Sequence, residues 1–181
     1  MRRANSMKGW TAFTTVGQDV PGTTSTTGGC LYTRNLMSCI GIAVSNGTNA
    51  IGMLHVSPGH EKQELWIVGL MEVVRPTCCV ITGANLGGDE ERLARLSQAF
   101  ADFDFPIIDE TRTGWLPATL GGCTVGRGQQ TSPAGFLAVN GATNEYFVAA
   151  DVVVAAADQV TNVPARKRRG RGSSRGTCII F

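Results

Sequence analysis

Cys39 and His55 lie sixteen residues apart, on either side of the dipeptide Asn46-Gly47. Asn-Gly is a strong hairpin signal because both residues tolerate positive φ. The flanking stretches, residues 39–45 and 50–56, are apolar strand candidates. Directly paired residues on adjacent strands hold their Cβ atoms about 4.5–5.5 Å apart, which brings a thiol within reach of an imidazole. A three-residue loop, Asn46-Gly47-Thr48, pairs Ser45 with Asn49 and sets Cys39 directly across from His55. A two-residue loop shifts the register by one and sends the two side chains to opposite faces. Chemistry between them therefore predicts an odd loop or a bulge.

A cysteine beside a histidine becomes a thiolate near neutral pH. The imidazole takes the thiol proton and later returns a proton to the leaving group. A third group must hold the ring in one tautomer. Thr33, through its hydroxyl or its carbonyl, is the candidate. Backbone amides at Cys39 and its neighbours are placed to receive an oxyanion, with Ser38 and Gly52 as supporting residues. The same hairpin is compatible with a packing cysteine and a structural histidine. His60, beside Pro58-Gly59, reads as a loop residue rather than a second base. The chemistry calls for no cofactor. The six cysteines form no C-x-x-C pair and only two histidines occur, so a zinc site of the usual spacing is not available.

Several elements must position these residues. Residues 1–29 are rich in Thr, Gly and Ser and read as a flexible N-terminal arm. Residues 64–74 suit either strand or helix, and Arg75-Pro76 ends them. Residues 78–83 read as a buried strand. Residues 89–103 are the clearest helix, with Leu93, Leu96, Phe100 and Phe103 on one face and acids at the start. A strand begins at Pro106, and residues 136–139 and 146–154 read as two more around Asn140-Gly141. The expectation is one α/β (α+β) domain: a central β-sandwich of mainly antiparallel strands with packed helices, over residues 30–160.

The motif resembles the CheD and cytotoxic-necrotizing-factor deamidases. CheD-like sequences carry a threonine six residues before a Leu-Gly-Ser-Cys element, then a Gly-Gly-Met-x-His element some sixteen or seventeen residues on. Thr33, Leu36, Ser38, Cys39, Gly52, Met53 and His55 follow that pattern in order, while Met37 and Ile51 stand where the pattern has glycine. The likeness extends over residues 31–154. It implies a β-sandwich-like core and a Cys39–His55 pair that hydrolyses glutamine side chains of proteins. An amine in place of water would make the same site a transglutaminase.

Residues 161–181 form a different physical object. Arg166, Lys167, Arg168, Arg169, Arg171 and Arg175 supply six of the 16 basic residues, and no acid follows Asp158. The rest of the chain carries ten basic against 14 acidic residues. The last four residues, Cys178 to Phe181, spell a prenylation box, with the terminal Phe favouring geranylgeranyl. One lipid chain plus a polybasic run anchors stably on an anionic leaflet. Prenyl transfer is eukaryotic chemistry, whereas the catalytic resemblance is bacterial. The combination implies a bacterial effector, delivered by a specialised route, that uses a host prenyltransferase and works at the cytoplasmic face of a host membrane. No apolar signal-peptide core occurs in residues 1–29. A Rho-type small GTPase on the same membrane is the natural protein substrate. Two rivals remain: a chemotaxis-receptor deamidase without lipid, and a non-catalytic module that binds anionic lipid through the tail. Nucleic acid is not expected, since the tail has no stacking aromatics before Phe181.

Cys178→Ser should leave deamidation of a soluble substrate unchanged while making the protein diffuse in host cells. Fractionation checks this, and a variant that pellets with membranes as fully as wild type would remove the lipid anchor from consideration.

Overall fold

The computed structural model describes residues 1–83, 90–111, 124–127 and 135–149. The basic run, Cys178, Cys123 and the expected strand residues 150–154 lie outside them. Strands come first: β1 (Arg2–Arg3), β2 (Phe13–Thr15), β3 (Thr23–Ser25), β4 (Cys30–Arg34), β5 (Ile40–Ser45) and β6 (Ile51–Val56). Helix α1 (Gln63–Val74), β7 (Cys78–Gly83) and α2 (Glu90–Phe100) follow, then β8 (Ile107–Thr111), β9 (Thr124–Arg127), β10 (Phe136–Asn140) and β11 (Glu145–Ala149).

Among the described residues two sheets form. One runs β1-β11-β10-β4-β2 and the other β3-β6-β5-β7-β8-β9. Pairing is antiparallel around β5, β6 and β10 and parallel for β1–β11, β2–β4, β7–β8 and β8–β9. The sandwich is thus mixed, with its antiparallel part at the candidate site. The fold is the expected mixed α/β domain, dominated by strands.

Period-two alternation sorts the apolar side chains into layers. Ile40, Ile42, Val44, Leu54, Val56, Cys79 and Ile81 face α1 and α2, against Ile67, Leu70, Met71, Leu96 and Phe100. The intervening positions Ala43, Ile51, Met53 and Val80 face Leu31, Leu137, Val139 and Val148 of the other sheet. Residues 64–74 resolve as helix because Ile67, Leu70, Met71 and Val74 recur at helical spacing on the buried side. Arg75 adopts a left-handed conformation, donates its N–H to the Met71 carbonyl at 2.8 Å, and is followed by Pro76, so the helix stops there. Helix α2 is described over Glu90–Phe100 and ends before the expected residue 103, while residue 89 lies outside the described residues. Phe103 follows in a turn, its N–H bonded to the Phe100 carbonyl at 3.1 Å.

The N-terminal arm is a correction. Residues 1–29 are expected as a flexible arm, yet they supply β1, β2 and β3. Met7 is 0% and Trp10 5% exposed. They cover Cys30, Phe136, Ala138 and Phe147 on the outer face of the five-stranded sheet. Arg3 also reaches Glu110 of β8 at 3.2 Å, and Tyr146 donates its hydroxyl to the same carboxylate at 2.7 Å. Thr-Gly-Ser composition hides the few apolar anchors that do this work.

Trp10→Ala should cost about 3–5 kcal/mol, as removal of a buried aromatic does. Urea unfolding measures it, and a cost near zero would restore the loose-arm reading.

Candidate functional site

The chain crosses from one sheet to the other between β4 and β5. Asn35 takes φ of 61°, Leu36 plugs fully into the interior, and the Met37 N–H turns back to the Asn35 carbonyl at 2.8 Å. Met37 is 72% exposed, and Ser38 is exposed beside it. Cys39 follows at 5% exposure, one step before β5.

The hairpin register differs from the expected one. Ser45 pairs with Ile51, and Gly41 with His55. The connection is five residues, 46–50, rather than three. The Asn46 carboxamide oxygen explains the extra length. It accepts the N–H groups of Thr48 (2.9 Å) and Ala50 (3.1 Å), folding the chain over the side chain before β6 starts. The shift is two residues, so parity survives. Cys39, Gly41 and His55 share the face between the sheets, but Cys39 stands diagonally from His55 rather than directly opposite. Diagonal neighbours lie about 7–8 Å apart.

Thr33 and His55 are brought together. Thr33 lies on β4, and its side chain points between the sheets. Its hydroxyl donates to the Val16 carbonyl at 3.0 Å. Its oxygen lies 2.7 Å from His55 Nδ1. A hydroxyl has one proton, already given to Val16, so Nδ1 carries the hydrogen and donates it. The ring's other nitrogen, Nε2, is then a bare lone pair. Nε2 is buried and has no hydrogen-bond partner among the described residues. That tautomer is the one a general base requires.

A cleft of about 290 Å³ opens on this ring, lined by Thr15, Val16, Gly17, Gln18, Thr33, Arg34 and His55 among others. Cys39 is not among the lining residues; it belongs to the buried cluster that holds Leu36, Ala43 and Val16. Gly83 fixes the Cys39 backbone. It has φ of 122°, and a Cβ there would fall 2.3 Å from the Cys39 carbonyl oxygen, so only glycine lets β7 approach. Gly52 is placed elsewhere than expected. It faces α1, where a Cβ would meet Leu70 at 2.6 Å and Val74 at 2.9 Å, so it seats the helix and lies away from the oxyanion position.

The electrostatics favour an uncharged resting base. Burial pushes the His55 imidazole below its usual range, and the negative charge of Asp19 opposes this only in part. Burial raises the Cys30 thiol to about 11 and pushes Cys79 well above the usual range, which quiets both as nucleophiles.

Sequence reasoning missed Val16, Gln18 and Asp19. The Val16 carbonyl anchors Thr33, and Gln18 bridges His55 in a parallel sense. The Asp19 N–H donates to the His55 carbonyl at 2.9 Å. The available signal was Trp10, Phe13 and Val16, apolar residues at a spacing of three within a polar stretch. No protein-family model and no curated protein sequence matches the chain.

The neutral ring gives a pH signature. An unfolded chain protonates histidine near 6.5, whereas folded His55 resists until lower pH. The stabilisation is therefore complete above pH 6.5 and is lost as pH falls through the folded value. Urea unfolding across this range should show a steeper acid decline in wild type than in His55→Gln, and equal slopes would refute the assignment.

Proposed function

We propose that this chain is a cysteine-dependent hydrolase of side-chain carboxamides, a protein glutamine deamidase. The carrying observation is the setting of the His55 ring, whose Nδ1 lies 2.7 Å from the Thr33 oxygen. Thr33 holds Nδ1–H, which leaves the Nε2 lone pair buried on the sheet face it shares with Cys39. A structural histidine buried in a sandwich ordinarily satisfies both nitrogens. The fold class agrees with the one the CheD and necrotizing-factor resemblance implies.

Nε2 takes the Cys39 proton, and the thiolate attacks the glutamine carbonyl carbon. The imidazolium protonates the departing nitrogen, ammonia leaves, and a thioester remains. Water, deprotonated by His55, then releases glutamate and restores the thiol. The diagonal placement means that the thiol closes on Nε2 when substrate fills the cleft; such contacts commonly tighten only in the complex. With the prenylation box and polybasic run, the reading extends to an effector at the cytoplasmic face of a host membrane, with a Rho-type small GTPase as substrate. An amine acceptor would turn the thioester toward transglutamination.

Incubation with eukaryotic membrane and cytosolic proteins, followed by mass spectrometry, should reveal Gln-to-Glu conversion with wild type and none with Cys39→Ser. His55→Ala should slow alkylation of Cys39 by iodoacetamide about 100-fold or more, in line with loss of a general base. Conversion that persists in Cys39→Ser would overturn the proposal.

A further inference from the structure

His55 receives orientation from Thr33 but no charge, because a hydroxyl is neutral. Once Nε2 takes a proton, the imidazolium sits in a buried site and requires a counter-charge. The segment ahead of β3 supplies one. The Asp19 N–H is bonded to the His55 carbonyl, and the preceding residue, Gln18, bridges His55. One carboxylate oxygen of Asp19 accepts the Ser57 N–H at 2.8 Å, and the other accepts the Gln18 side-chain amide at 3.0 Å. Both oxygens are thereby tethered to residues flanking His55 on the strand or bridged to it. Asp19 has φ of 53°, a left-handed conformation that Asp tolerates better than most residues.

We propose that Asp19 is the electrostatic positioning residue of this site: a carboxylate fixed beside the imidazole that stabilises the imidazolium formed when Nε2 accepts the Cys39 proton. The inference rests on the Cys39–His55 reading. It divides between two residues what one carboxylate does in a Ser-His-Asp triad, where the acid both sets the tautomer and stabilises the charge. Burial would raise the Asp19 carboxyl, but the hydrogen bonds from Ser57 and Gln18 and the charge of His60 outweigh it, and the group stays ionised. Among the described residues, the titratable and charged groups near the ring are Cys39 from the β4–β5 connection, Arg34 from the cleft wall and Asp19. His60 acts on Asp19. Asp19 is the charge that acts on the ring.

Asp19→Asn keeps the shape and the oxygen that accepts from Ser57 while removing the charge. In the full chain, the His55 ring proton signal is titrated by NMR and Cys39 alkylation by iodoacetamide is followed against pH. In Asp19→Asn the His55 midpoint should fall by roughly one pH unit, and alkylation near neutrality should slow roughly tenfold. Asp19→Glu should recover part of both. Asp19→Ser keeps a neutral acceptor near the Ser57 N–H without the charge and should lower the midpoint likewise. This variant decides the matter should Asp19→Asn not fold. A lowered melting temperature with an unmoved midpoint would reduce Asp19 to a backbone clamp and overturn the inference, as would an unmoved midpoint in Asp19→Ser. If the midpoint moves while alkylation ignores both Asp19→Asn and His55→Ala, the Asp19–His55 coupling stands and the thiol–imidazole pair fails.

Discussion

The hydrogen bond between His55 and Thr33 joins the two layers of the sandwich. Thr33 belongs to β4 in one sheet and His55 to β6 in the other, so the 2.7 Å contact exists only where the sheets are held at one spacing and one register. Leu31 and Leu137 on one side, and Ala43, Ile51 and Met53 on the other, set that spacing. The Val16 carbonyl receives the remaining proton and gives the threonine its direction. A polar pair inside an apolar interlayer is costly when incomplete. Nearly every polar atom in this chain of contacts is satisfied, and the exception is the imidazole nitrogen that would do the chemistry.

Much of this arrangement was legible before any coordinates. Strand alternation at residues 40–45 and 51–56, the buried run 78–83 and the Asn46-Gly47 turn follow from side-chain period and turn chemistry. Thr33 was found as a partner for His55 because a neutral imidazole needs its ring held. Pairing parity was also recoverable: the common face of Cys39 and His55 depends only on an even shift.

Other features turn on interactions that a linear reading does not weigh. The loop grew to five residues because one carboxamide oxygen, that of Asn46, captures two amide protons. Gly52 reads as part of a catalytic motif, yet the decisive fact is the approach of Leu70 and Val74 from a helix eighteen or more residues away. Residues 1–29 have a disordered composition, but three short strands, three buried apolar side chains and two ion pairs suffice to bind them, because the face formed by Cys30, Phe136 and Phe147 would otherwise be wet. Composition measures the average of a segment, whereas docking depends on its few anchors.

The pairing of β1 with β11 has a temporal consequence. Arg2 and Arg3 find their strand partners at Glu145 and Tyr146, and Arg3 finds its carboxylate at Glu110. During synthesis the beginning of the chain must therefore wait, unpaired, until more than a hundred later residues have emerged. Contacts of such long sequence separation form late and slowly. The Val16–Thr33 and Thr33–His55 hydrogen bonds span only 17 and 22 residues and need no such wait. Met7 and Trp10, by contrast, can cover Phe136 and Phe147 only after β10 and β11 have emerged, so a nascent chain can hold the ring of His55 while the outer face of its sandwich is still open.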